Sequence, residues 1–156
     1  MPLVNTLIEH RAHPFLLGAK MSALEAARYL RKHHIGGAPV VENGKLAGFC
    51  SERDLVFRVM AERRDPEETT VVEIMSRDVV SATPDSKVQE CENLMYEAHV
   101  RHLPIVKDGE VVACLSLRDL IQSELKESET HVECLSEYIR GDVYASPERG
   151  GSKRSD

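Results

Sequence analysis

His33–Leu55 reads HHIGGAPVVENGKLAGFCSERDL, and Ala98–Leu120, 65 residues further on, reads AHVRHLPIVKDGEVVACLSLRDL. Without a gap, the two stretches share His34/His99, Pro39/Pro104, Val41/Val106, Gly44/Gly109, Ser51/Ser116, Arg53/Arg118, Asp54/Asp119 and Leu55/Leu120, eight of 23 positions. Most other positions exchange one apolar residue for another, such as Ile35 for Val100 and Val40 for Ile105. Self-similarity at a fixed offset marks a repeated structural unit. Each copy sets a turn dipeptide, Asn43-Gly44 or Asp108-Gly109, between two apolar runs. That is the strongest short hairpin signal, because a type I′ turn needs positive φ at both central residues.

On the N-terminal side of each hairpin, Ser22–His34 and Ser86–His99 carry apolar residues at helical spacing: Ala23, Ala26, Ala27 and Leu30, then Val88, Cys91, Leu94 and Met95. Each stretch starts at a Ser suited to N-capping. After each hairpin, Ser-x-Arg-Asp-Leu opens a second helix. A short strand before the first helix is expected clearly at Val79–Ala82 in copy two, and only faintly at Phe15–Leu17 in copy one. The unit is thus β-α-β-β-α, a mixed α/β (α+β) class. One copy cannot bury both faces of so small a sheet, whereas two packed about a pseudo-twofold axis can.

Composition bounds the function. The chain has 156 residues, 42% hydrophobic and 29% charged, which excludes a wholly disordered protein. It has no Trp, four Tyr and three Phe, too few for an aromatic platform that stacks single-stranded nucleic acid. With 20 basic against 26 acidic residues, the net charge of −6 argues against a general grip on DNA or anionic lipid. There is no apolar run of membrane-spanning length, and Met-Pro-Leu-Val-Asn is no secretory leader, so a soluble cytoplasmic chain is expected. Four separated cysteines, Cys50, Cys91, Cys114 and Cys134, form no Cys-x-x-Cys pair and read as reduced, mostly buried thiols. His10 and His13 sit one helical turn apart and His33-His34 end a helix, but no third ligand has metal-site spacing, so no metal is expected.

Outside the repeats, Pro2–Arg11 is expected to form a short helix and Ala61–Thr70 a charged linker. Leu117 to Arg140 reads as one long helix with an apolar stripe of Leu120, Ile121, Leu125, Val132, Leu135 and Ile139, ending at Gly141. Its other face carries five glutamates (Glu124, Glu127, Glu129, Glu133 and Glu137) against Lys126. The stripe needs a partner, and a second chain is expected. Asp142–Asp156 reads as a polar tail.

These residues resemble a tandem pair of cystathionine-β-synthase (CBS) domains, of the kind found in stand-alone bacterial proteins with a C-terminal helical extension. The resemblance rests on Ile35-Gly36-Gly37-Ala38-Pro39-Val40-Val41, the Asn-Gly hairpin and Gly48-x-x-Ser51-x-x-Asp54. Copy two matches it with Val100-Arg101-His102-Leu103-Pro104-Ile105-Val106, the Asp-Gly hairpin and Ser116-x-x-Asp119. Glu73–Val80 fits the approach to a second repeat. The resemblance covers roughly Phe15 to Gln122. It implies an N-terminal segment 1–13, repeat one at 14–62, a linker 63–73, repeat two at 74–122, a helical extension 123–141 and a tail 142–156.

The resemblance further implies a non-enzymatic, regulatory module that binds an adenosine-containing ligand (AMP, ADP, ATP, NAD or S-adenosylmethionine) in clefts between the repeats. No catalytic cofactor is implied, and signalling would run through a homodimer to an effector protein. Each Asp would work with the other repeat: Ser51 and Asp54 facing Arg101, His102 and Leu103, and Ser116 and Asp119 facing Gly36, Gly37 and Ala38. Thr83 would line the second cleft; its counterpart Gly18 has no hydroxyl. Arg53 and Arg118 would reach phosphate or remain solvated. On chemistry alone, a carboxylate in Ser-x-x-Asp can accept bonds from both ribose hydroxyls. The same spacing also makes a good helix start that needs no ligand. The alternative is therefore a structural, protein-interaction dimerisation module with empty clefts. A nucleotide hydrolase is disfavoured, since no Ser/His/Asp order, metal cluster or phosphate-loop motif is present.

Overall fold

The computed structural model describes residues 2–125. The chain divides into two compact units, the first ending at Ser116 and the second beginning at Leu117. In the first unit the hairpins form as the turn dipeptides require. Strands β2 (Gly37–Glu42) and β3 (Lys45–Ser51) pair antiparallel, as do β4 (His102–Lys107) and β5 (Glu110–Ser116). Asn43 and Asp108 have φ of 51° and 53°, and Gly44 and Gly109 have 75° and 82°, so all four turn residues are left-handed. Both hairpins break register at the same place, between Val40 and Val41 and between Ile105 and Val106.

The helices preceding the hairpins are α2 (Ala23–His33) and α5 (Val88–Ala98). Each ends on a left-handed histidine, His34 or His99. The identity of that pair therefore reflects a shared C-terminal turn rather than shared chemistry. Ser22 caps α2 as expected, its hydroxyl accepting from the Glu25 N–H at 3.1 Å. Ser86 does not cap α5. Its hydroxyl accepts from the Thr83 N–H at 3.1 Å, and Lys87 is the residue before the helix.

The leading strands invert the expectation from sequence. Copy one forms the strand, β1 (Leu17–Gly18), parallel to β2. Copy two has only a bridge between Ala82 and Ile105, the positions equivalent to Leu17 and Val40. The pairing has the same geometry, but Thr83 turns at once into its bond with Ser86, and Pro84 has no N–H with which to extend a ladder.

Two short helices lead into the repeats, and each docks on the other repeat. Helix α1 (Val4–Ile8) precedes repeat one, yet Val4 N–H donates to Ser86 O (2.9 Å), Asn5 N–H to Pro84 O (2.8 Å) and Val88 N–H to Pro2 O (3.1 Å). Helix α4 (Val71–Ile74) precedes repeat two, yet Val71 N–H donates to Met21 O (2.8 Å), Val72 N–H to Ala19 O (3.0 Å) and Ala23 N–H to Thr69 O (2.7 Å). Val4 and Val71 are both fully buried by this reciprocal exchange. The hairpins also meet: Leu46 N–H donates to Gly109 O, and Lys45 Nζ to Asp108 O at 2.6 Å.

The core of repeat one gathers Leu17, Ala23, Ala26, Leu30, Val40, Cys50, Val71 and Ile74. The second unit is described only as α6 (Leu117–Leu125), in which Leu117 and Leu120 are buried. The expected run of that helix on to Arg140, its acidic face beyond Glu124, Cys134 and the tail lie outside the described residues.

Candidate functional site

Repeat one builds its site where β3 ends. Ser51 is extended (φ −115°, ψ 166°) and caps α3 (Glu52–Asp54), which runs on into a π-helical turn, Leu55–Met60. The cap is reciprocal. Asp54 N–H donates to Ser51 Oγ at 3.3 Å, while Ser51 N–H and Oγ–H donate to Asp54 Oδ2 at 2.8 and 3.1 Å. Asp54 is thereby held at 9% exposure. Its other oxygen, Oδ1, lies 3.8 Å from Arg58 Nε.

Gly37 and Ala38 of β2 lie opposite Ser51 and Cys50, and Gly36 O accepts from the Glu52 N–H at 2.8 Å. At Gly37 a Cβ would meet the Phe49 ring at 2.7 Å and Cys50 O at 3.0 Å, so glycine is what lets that ring lie across the hairpin. Phe49 precedes Ser51 by two residues and shares its face of β3. The ring stacks on His102 of repeat two, with centroids 5.6 Å apart and planes at 26°. His102 of repeat two thus packs against β3 through Phe49. Leu103 is wholly buried in β4, and Arg101 is exposed on the bend before it. The sequence reading missed Phe49, whose counterpart in copy two is Cys114; an aromatic at only one copy of a repeated position was the available signal.

The other expected residues are placed as follows. Arg53 lies with its guanidinium carbon 5.9 Å from the centre of the Phe57 ring. Thr83 is exposed, with its hydroxyl 3.2 Å from that of Ser86. Ser116 closes β5 opposite His102. Arg118 is exposed and Asp119 half-buried in α6. Among the described residues, no cluster of three or more His, Cys, Asp or Glu could hold a metal ion, and no helix is long and apolar enough to cross a membrane.

Burial, reinforced by the negative charge of Asp54, pushes the Cys50 thiol up to about 12; Arg58 opposes the shift. Burial, with Glu90 and Glu92 adding to it, pushes Cys91 to about 11. At pH 8 both should resist iodoacetamide in the folded protein and react once it is unfolded, as read by mass spectrometry. A raised native pKa contributes stability that is full below the ordinary value of 9.0 and is lost as pH climbs towards 11 to 12. Alkaline destabilisation should therefore begin near pH 9. Labelling of either thiol at pH 8 without unfolding would contradict its burial.

Two like repeats, each a helix followed by a hairpin, with lead-in helices exchanged between them, define a tandem-repeat module. The chain belongs to the CBS-domain family: the CBS domain model matches residues 8–61 and 71–126, the two repeats in tandem. Over 101 residues it is 37% identical to the CBS domain-containing protein YhcV of Bacillus subtilis, spanning 65% of this chain and 71% of that one. Two other curated relatives, from Arabidopsis thaliana and Methanopyrus kandleri, are matched over only 59% and 54% of their length. Among solved structures, it is similar to the CBS domain pair of protein MJ0100 in complex with 5′-methylthioadenosine and S-adenosyl-L-methionine. That match has a TM-score of 0.71 at 27% identity, covering 82% of this chain and 99% of the other. The family model is not that of a catalytic domain.

Proposed function

We propose that the protein is a non-enzymatic, cytoplasmic regulatory module that binds an adenosine-containing ligand between its repeats and signals as a homodimer to an effector protein. The observation that carries this reading is the Ser51–Asp54 pair, its carboxylate buried beside a strand end that His102 of the other repeat reaches. Binding of methylthioadenosine and S-adenosylmethionine by the CBS pair of MJ0100 supports the ligand class. Asp54 would take the ribose hydroxyls, and Arg101 and Arg53 the phosphates. Asp119 would serve as the counterpart of Asp54 in repeat two, with Ser116, Arg118 and Thr83 contributing there. The apolar surface of Val56, Phe57 (59% exposed) and Met60 (74% exposed) would be covered by the second copy.

The second reading, an interaction module without a small ligand, is favoured by one feature. The Ser51 hydroxyl and Asp54 carboxylate already satisfy each other as a helix cap. Melting curves with AMP, ADP, ATP, NAD, S-adenosylmethionine and methylthioadenosine separate the two. A ligand at 100 times its Kd adds about 2.7 kcal/mol, or about 5–10 °C for a chain of this size. Asp54→Ala or Asp119→Ala should abolish the rise, and the same samples should sediment as dimers. A folded wild type that no ligand shifts would establish the interaction reading.

A further inference from the structure

Arg58 bridges two segments that are not neighbours in sequence, Asp54 and Ile74–Met75. Its Nε faces Asp54 Oδ1 at 3.8 Å, and its Nη1 donates to Ile74 O at 2.9 Å and Met75 O at 3.1 Å. Those carbonyls sit at the C-terminal end of α4, the lead-in helix of repeat two, where unpaired carbonyls and the negative end of the helix favour a cation. The next residue, Ser76, exchanges two backbone bonds with Phe49, each 2.9 Å, and Phe49 carries the ring that stacks on His102. A continuous path thus runs from the Asp54 carboxylate through one guanidinium to the inter-repeat linker, and from the linker back to Phe49.

The geometry points to Arg58 as a positioning residue that couples the Asp54 carboxylate to the inter-repeat linker at Ile74–Ser76. Asp54 Oδ2 is committed to the helix cap, so Oδ1 is the oxygen free to exchange partners, and Arg58 is its neighbour. Asp54 Oδ1 steadies the guanidinium that holds the two carbonyls, so a hydroxyl that engages Oδ1 loosens its hold on Arg58 and, with it, the hold of Arg58 on Ile74 O and Met75 O. The position 65 residues on is Ser123, whose short, uncharged side chain cannot form an ion pair with a carboxylate. The coupling therefore belongs to the Asp54 site and has no charged counterpart at the matching position of the other repeat. This inference rests on the ligand reading for its physiological meaning, but the linkage itself exists without ligand.

Native-state amide exchange on the full chain tests it. Met75 N–H (to Val71 O) and Ser76 N–H (to Phe49 O) are the reporters, and Val106 N–H (to Ala82 O) in repeat two is the reference. Relative to Val106, Arg58→Met and Asp54→Asn should each speed exchange at Met75 and Ser76 about tenfold, and the double variant should be no faster than either single one. Arg58→Lys, which keeps the charge, should recover part of the loss. Acceleration by Arg58→Met with wild-type exchange in Asp54→Asn would overturn the proposal, leaving Arg58 as a brace for α4. Additive effects in the double variant would overturn it too. Saturating ADP or S-adenosylmethionine should change exchange at Met75 and Ser76 in wild type but not in Arg58→Met that still binds. Binding with no such change in wild type sinks the coupling. Failure of wild type to bind either probe refutes the ligand reading alone, and the ligand-free comparison still decides the role of Arg58.

Discussion

Gly48→Ala is expected to lower the melting temperature by about 6–12 °C, corresponding to about 3 kcal/mol for an overpacked site in a chain of this size. A Cβ at Gly48 would lie 2.5 Å from Met75 Sδ and 2.7 Å from Ser76 O. The thioether can swing aside, but the carbonyl cannot. Ser76 O is held by the Phe49 N–H at 2.9 Å, and Ser76 N–H is bonded back to Phe49 O. Relief of the clash must therefore break the bridge that lays the linker along β3. Two contrasts sharpen the test. Gly44 has open space around its missing Cβ but φ +75°, so Gly44→Ala should cost about 1 kcal/mol, from backbone strain alone. The repeat-two counterpart of Gly48 is Ala113, so a methyl group is native at the matching position of the other hairpin. A Gly48→Ala melting point within about 2 °C of wild type, less than 1 kcal/mol for this chain length, would show that the linker does not run this close to β3.

The second large effect is expected far from the candidate site. Val4→Asp should destabilise the chain by on the order of 3 kcal/mol, because it places a carboxylate at a wholly buried position that now holds an apolar side chain. Val4 is buried because α1 crosses to repeat two, where the backbone bonds that link Pro2, Val4 and Asn5 to Pro84, Ser86 and Val88 fix it. Thr6→Asp, on the exposed side of the same short helix, should change stability by no more than about 0.5 kcal/mol. Urea unfolding measures both. Equal, small effects would mean that α1 is not docked in solution.

Neither Val4 nor Gly48 stands out in the sequence as a pivot of the fold, and the reason is physical. α1 and α4 align with an offset of 67 residues, since Val4 matches Val71, rather than the 65 of the main repeat. Their short apolar patterns, Val-Asn-Thr-Leu and Val-Val-Glu-Ile, are too brief to register as a repeat. Docking on the opposite repeat then leaves no local trace. Asp54 was legible as a cap residue, because the Ser-x-x-Asp cap is decided within four residues. The cap is formed, and its three bonds account for the burial of that carboxylate. Arg58 was not legible. Its partners lie four and about sixteen residues away, and only the path of α4 brings the last two within reach.

Features set by backbone dihedrals and side-chain periodicity could be read from the chain without its structure. Asn43-Gly44 and Asp108-Gly109 require left-handed turns, the apolar spacing of 23–30 and 88–95 requires one-sided helices, and the eight identities require two like units. Three-dimensional packing was needed to learn which unit each lead-in helix serves, why Gly37 and Gly48 must lack a Cβ, and how His102 meets Phe49. Those features depend on atoms from segments far apart in the chain arriving within a few ångströms of one another. Contact distances of that kind are set by the packing of the whole unit and not by any local stretch of residues.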